Sequence, residues 1–139
     1  MIVLDTNVLS ELLRPAPHEA VLDWFSMQPR AALFSTTVCR AEIFYGIRIL
    51  PDGARKQGLW KATQAIFDED LAGRVLGFDN DAADAYAEIA AARKGLGKPI
   101  SPFDAMIAAM TRSRGARLAT RNVRDFADCG IDVIDPWRV

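Results

Sequence analysis

The chain has 139 residues, half of them hydrophobic and a quarter charged, with a formal net charge of −1. That composition supports one domain with a real core over 1–139 and leaves too little chain for two. A near-neutral balance excludes a protein that binds nucleic acid with its whole surface, and no apolar stretch approaches the roughly 20 residues of a membrane span.

Taken in chain order, residues 2–4 read as a buried strand ended by Asp5, not as a secretory leader, because no basic segment precedes them. The expected location is therefore cytoplasmic. Asp5 or Thr6 can cap a helix over 6–13 that stops near Pro15. An amphipathic helix is expected over roughly 17–28, with Ala20, Val21, Trp24, Phe25 and Met27, ending before Pro29. Residues 33–34 form a short strand. Ser35 or Thr36 then caps a helix over 37–50, closed by Pro51-Asp52-Gly53. Another helix is expected over 54–71, a strand over 75–78, and a long Ala-rich helix from Asp79-Asn80-Asp81 to Lys94. After a Gly-rich loop over 95–99, Ser101 caps a helix running to Arg114, with Pro102 at its first position. A strand over 116–119, a helical turn over 123–128 and a strand over 133–134 complete the pattern. Short apolar strands alternating with helices predict an α/β fold, a sandwich with a short parallel sheet covered on both faces. Ligands of such sheets bind beyond the carboxyl ends of the strands, where strand order reverses.

Four acids stand where phosphodiester chemistry needs them. Asp5 ends a strand and opens a helix, so it is either an N-cap or a metal ligand at the sheet rim. Glu42 falls within a stripe of Val38, Ala41, Tyr45 and Ile49, which predicts a carboxylate on an apolar face, with a buried ion pair as the alternative. Ile43 and Ile47 on the other side give this helix two apolar faces and suggest a second packing partner. Asp104 completes a Ser-x-x-acid capping box with Ser101, yet shares a face with Ile107, Ala108 and Thr111. Asp125 reads as an exposed acid pairing with Arg121 or Arg124, and Asn122 as a turn residue or a neutral oxygen ligand. Buried carboxylates need a partner, and a divalent cation serves several at once.

Eight basic residues lie between Arg93 and Arg124 against one acid, Asp104, which predicts a local anion-facing surface. Tyr45, Phe103 or Trp60 could stack bases there, although aromatics at these spacings also suit a core. Cys39 and Cys129 form no metal-binding or disulfide pattern. His18, the single histidine, reads as a surface or capping residue at the start of the second helix. Gly97-Lys98 is followed by Pro99 and lacks the upstream glycine of a phosphate-binding loop. A phosphatase using Asp5 as nucleophile would want an acid at position 7, which is Asn.

The motifs Leu4-Asp5-Thr6-Asn7 with Ser10-Glu11, Ala41-Glu42-Ile43 with Gly46, Phe103-Asp104 with Ile107-Ala108-Ala109, Ala119-Thr120-Arg121-Asn122 with Asp125-Phe126, and Asp135-Pro136-Trp137 occur together along nearly the whole chain. In this combination the sequence resembles PIN-domain ribonucleases of the VapC type, and most of all their FitB-like branch. The resemblance implies a three-layer α/β/α sandwich and an endoribonuclease that uses Mg²⁺ or Mn²⁺. It implies a toxin held by a cognate antitoxin, which binds operator DNA with its other end, and a homodimer. It carries Asp5, Glu42 and Asp104 onto the family's three principal acids, Asp5 and Asp104 as the main metal ligands. The fourth acidic role passes to Asp125, is filled weakly by Asn122, or is absent. Thr120 matches a Ser/Thr expected near metal-bound water, which would act as the nucleophile, and Arg121 a phosphate contact. Without a fourth acid, a degenerate PIN domain that only binds partners is the alternative. A DNA-directed nuclease would use the same carboxylates.

Overall fold

The computed structural model describes residues 1–139. Five short strands form one parallel sheet: β1 (Ile2–Leu4), β2 (Leu33–Thr36), β3 (Val75–Leu76), β4 (Arg117–Ala119) and β5 (Val133–Ile134). Their spatial order is β3-β2-β1-β4-β5. Six helices flank the sheet in an α/β/α sandwich: α1 (Thr6–Leu12), α2 (Glu19–Met27), α3 (Thr37–Arg48), α4 (Ala54–Ala65), α5 (Asn80–Gly95) and α6 (Pro102–Ser113). Ile2, Val3, Leu4, Leu118 and Ala119 are almost wholly buried, as expected of central strands with helices on both faces. They belong to a core of 27 buried residues that also takes in Val8, Leu9, Ile43, Ile89, Ile107 and Met110.

The chain first winds from β1 outward to β3, then crosses back through α5 and α6 to place β4 on the other side of β1. Strand order reverses between β1 and β4, where Leu4 lies opposite Ala119. The Asp5 N–H still donates to the Ala119 carbonyl at 3.0 Å, so the two chains leave the sheet side by side. Asp5 and Thr120 thus emerge as neighbours at the one crevice that this topology creates.

Several expected elements differ in detail. The helix expected over 54–71 is α-helical only to Ala65, and Ile66–Asp70 widens into a π-helical segment that buries Phe67. The strand expected over 75–78 stops at Leu76. The helix expected from 17 starts at Glu19, because His18 is its N-cap and its Nδ1 accepts from the Ala20 N–H at 3.2 Å.

α3 is turned relative to the expected stripe. Val38, Cys39, Ile43 and Ile47 face the core, while Tyr45 and Ile49 are 68% and 66% exposed. Helical spacing alone fits both stripes, and contact with the sheet selected the one containing Cys39, Ile43 and Ile47. Glu42 consequently lies at the boundary, half-buried, and makes no buried ion pair with Arg40 or Arg48.

The basic surface expected over 93–124 is also divided. Arg93 is buried and donates to the carbonyls of Lys98, Asp125 and Ala127. Arg112 pairs with Glu88 at 3.0 Å, and Lys98 faces Asp128 at 3.9 Å. Charge counting along the chain does not register partners contributed from elsewhere in the fold. No helix is long and apolar enough to cross a membrane.

Candidate functional site

Asp5 is the first residue beyond β1 and the N-cap of α1, so both readings of its sequence position meet in one side chain. It is 5% exposed. Oδ1 accepts from the Thr6 N–H at 2.8 Å and lies 3.9 Å from Cys39 Sγ. Oδ2 accepts from the Thr120 hydroxyl at 2.7 Å and from Asn7 Nδ2 at 3.3 Å. Burial pushes the carboxyl up from 3.8 to about 6; the bonds from Thr120 and Thr6 oppose the rise, and the charges of Asp104 and Glu42 add to it. A carboxyl placed this way is ready for a cation.

Asp104 arrives from the first turn of α6. Its N–H donates to Ser101 Oγ at 3.3 Å, the bond expected of the cap. The side chain is half-buried while Ile107, Ala108 and Thr111 are fully buried, which orients this helix as its sequence pattern predicts. Burial raises the Asp104 carboxyl above its ordinary value; a Ser101 hydrogen bond opposes this, Asp125 reinforces it and Arg93 offsets it. Glu42 comes from α3, whose N-cap is Thr36, and its Oε1 accepts from the Thr6 hydroxyl at 2.9 Å. Thr6 therefore ties the α1 terminus to both acids, through its amide to Asp5 and its hydroxyl to Glu42.

Asp5, Glu42 and Asp104 line one open cavity of about 520 Å³, together with Asn7, Arg121 and Asn122. Asp125 is exposed, makes no ion pair with Arg121 or Arg124, and lines the adjoining cavity. It still acts on Asp104 electrostatically. The two contenders for a fourth position thus divide, Asn122 in the wall of the cavity and Asp125 beside Asp104.

The donor set is hard oxygen, which suits Mg²⁺ or Mn²⁺. No three acidic, histidine or cysteine side chains stand close enough to ring one ion. Mg²⁺ does not require that, since it keeps several waters and takes one or two carboxylates. The residues present fit such an ion.

Two further residues line the site, which sequence reasoning placed in the opening motif without giving them a role. Asn7 donates to both Asp5 Oδ2 and Thr120 Oγ1, and its Oδ1 accepts the Arg121 N–H at 3.1 Å. Thr120 in turn gives its proton to Asp5 and accepts from Asn7 and from the Asn122 N–H at 3.1 Å. Its hydroxyl donor is engaged with Asp5 rather than open to water. Glu11 is the second, 5% exposed at the cavity wall. It accepts from Arg14 and from the His18 N–H at 3.1 Å, which joins α1 to the start of α2. The sequence signals were the Asn two residues after Asp5 and a Glu one turn further along.

The family model described as PIN domain matches residues 2–131. A VapC ribonuclease, Y4jK of Sinorhizobium fredii, is 40% identical over 137 residues, which cover 99% of this chain and 98% of its own. Toxin FitB of Neisseria gonorrhoeae is 35% identical over 137 residues, 99% of either chain. A solved structure described as FitAB bound to an IR36 DNA fragment aligns with a TM-score of 0.94 at 34% identity, covering 100% of this chain and 97% of the other.

Proposed function

Because the chain belongs to the PIN-domain family, we propose that it is a divalent-metal-dependent endoribonuclease, the toxin of a toxin–antitoxin pair. The observation that carries this reading is the convergence of Asp5, Glu42 and Asp104 on one open cavity at the point where strand order reverses. Three acids drawn from three distant segments, Asp5 raised by burial and by the charges of Asp104 and Glu42, Asp104 raised by burial and by Asp125, form a site that a cation relieves.

Asp5 and Asp104 would hold Mg²⁺ or Mn²⁺, with Glu42 as a further ligand. The bound ion would neutralise charge developing on the phosphate and lower the pKa of a water. Asn7 and Thr120 fix the Asp5 carboxylate by their hydrogen bonds. Glu42 is held at Oε1 by Thr6, which leaves Oε2 to orient the attacking water. Asp125, adjacent in charge to Asp104, takes the fourth acidic role more readily than Asn122, whose amide is neutral. Arg121 carries no ion pair and stands at the cavity wall, where it would contact the substrate phosphate. His18 is no general base here, since its Nδ1 is engaged with Ala20 and its ring faces the neighbouring cavity. Attack of water on phosphorus with departure of the 3′-oxygen, which takes up a proton, would leave 5′-phosphate and 3′-hydroxyl ends.

The partner of this reading is a cognate antitoxin, which alone would contact operator DNA; the similarity to FitAB supports it. The exposed Tyr45 and Ile49 on α3 supply an apolar face for a homodimer.

A second reading is favoured by one observation: position 122, a contender for the fourth acidic place, is Asn. A PIN domain degenerate in this way would bind partners without cleaving. The separating experiment incubates total RNA and a matched DNA with metal-free protein purified away from antitoxin, with and without Mg²⁺ or Mn²⁺. Metal-dependent RNA fragments that disappear in Asp5→Asn are expected. Intact RNA under every condition would leave the binding module, and cleavage of DNA alone would reassign the substrate.

A further inference from the structure

Beside the carboxylate cavity lies a larger one of about 970 Å³, and Arg121, Asn122 and Trp137 line both. The two volumes form one groove with Arg121 at the junction. We infer that Arg121, stacked on Trp137, and Arg124 form a subsite for one unpaired nucleotide of the RNA strand, next to the phosphate that is cut. The inference rests on the ribonuclease reading.

Arg121 is exposed yet restrained at both ends. Its backbone N–H donates to Asn7 Oδ1, and its guanidinium carbon lies 5.1 Å from the centre of the Trp137 ring. The ring is itself anchored. It packs against the core, and it follows a turn in which the Trp137 N–H donates to Asp135 Oδ1 at 2.9 Å and the Arg138 N–H to the Asp135 carbonyl at 3.1 Å. A planar cation held over an aromatic face keeps its other face and its in-plane donors free. Guanidinium planes and aromatic rings are the surfaces on which single-stranded RNA stacks splayed bases.

The charges agree with that occupant. Of the three arginines on the larger cavity's wall, Arg138 faces a carboxylate within 4.0 Å, whereas Arg121 and Arg124 have no such partner and no side-chain hydrogen bond. The cavity wall holds two acids. Asp135 faces Arg138 at 3.7 Å, and Asp125 lies in the field of Asp104, toward the proposed metal. Arg121 and Arg124 are therefore the unpaired cations there. A planar stacked cation beside a second free cation suits a base and its phosphate, and the shared wall puts that nucleotide beside the acids.

The test measures binding of a short labelled oligoribonucleotide to metal-free protein by fluorescence anisotropy, with an abasic residue walked along the strand. One abasic position is expected to weaken binding to the wild type by roughly tenfold. The same position should cost Arg121→Ala and Trp137→Ala little, since the stacking surface is already gone. Trp137→Phe, which retains an aromatic face, keeps the sensitivity and guards against a folding defect. Arg124→Ala should reduce the salt dependence of binding by about 0.7 in log–log slope, the value for one phosphate contact on a single strand. Equal abasic penalties in wild type and Arg121→Ala overturn the subsite. Parallel Mg²⁺-dependent cleavage by the wild type separates the two readings. Cleavage with no abasic coupling removes the subsite and keeps the ribonuclease; coupling with no cleavage does the reverse; neither result removes both.

Discussion

Asp5 shows how one side chain joins folding and chemistry. In the metal-free protein its carboxyl titrates near 6 rather than 3.8. Between those values the folded protein holds a proton that the unfolded chain has released, so folding stability falls as pH rises through the window. The contribution is fully present below about 4, lost above about 6, and amounts to roughly 3 kcal/mol. Against Asp5→Asn, whose side chain does not titrate, metal-free wild type should lose up to that amount of stability between the acid end and neutral pH, as denaturant melts at several pH values would show. Parallel curves for the two proteins would mean that Asp5 is not held neutral by its surroundings. Asn7 works through Asp5. It is the only side chain that bonds Asp5, Thr120 and the Arg121 backbone together. Asn7→Ala should raise the Mg²⁺ concentration needed for half-maximal cleavage by roughly 10- to 100-fold, as loss of an outer-shell partner does. A loss of kcat at unchanged Mg²⁺ requirement would place Asn7 elsewhere in the mechanism.

At the scale of elements, α5 has a task that its Ala-rich sequence conceals. Arg93, near its C-terminus, is 6% exposed and reaches three backbone carbonyls on two loops. Two of these, Asp125 and Ala127, belong to or adjoin the 3₁₀ turn Val123–Phe126. A single buried guanidinium thus fixes the segment that presents Asp125 and Arg124. Arg93→Met keeps much of the side-chain bulk but leaves those carbonyls unpaired, at a cost of about 3 kcal/mol. The measurement is a urea midpoint, together with hydrogen exchange over 122–129, which should accelerate. An unchanged exchange pattern there would show that the turn is held by its own contacts. α3 carries the complementary lesson. Its two apolar stripes are equally helical in sequence, and the element that contacts the sheet decided which one became core.

For the whole molecule, the site exists because the chain doubles back. β1 and β4 are more than a hundred residues apart in sequence but adjacent in the sheet, and their carboxyl ends bring Asp5 and Thr120 within 2.7 Å. Closing acids onto one cavity stores repulsion that a bound ion releases. Mg²⁺ at a hundred times its dissociation constant should therefore stabilise the wild type by about 2.7 kcal/mol through mass action. Asp104→Asn should show little or no metal-dependent rise in Tm. Equal rises in both proteins would place the ion away from this cavity.

The alternation of strands and helices, the cap at Ser101, the helix starts at Asp5-Thr6, Ser35-Thr36 and Asp79-Asn80-Asp81, and the free cysteines were legible from local rules. Capping and strand burial depend on residues a few positions apart, and the sequence displays those directly. Asp5, Glu42 and Asp104 were recognisable as a set through the combined motifs. Their meeting in one cavity depends on strand order, which no local pattern encodes. Tertiary packing alone decided the rotation of α3, the burial of Arg93 and the pairing of Lys98 and Arg112. It also decided the roles of Asn7 and Trp137, whose partners lie 113 positions away for Asn7 and 16 for Trp137. Charge and hydrophobicity are properties of a residue, whereas burial and pairing depend on what the rest of the chain places beside it.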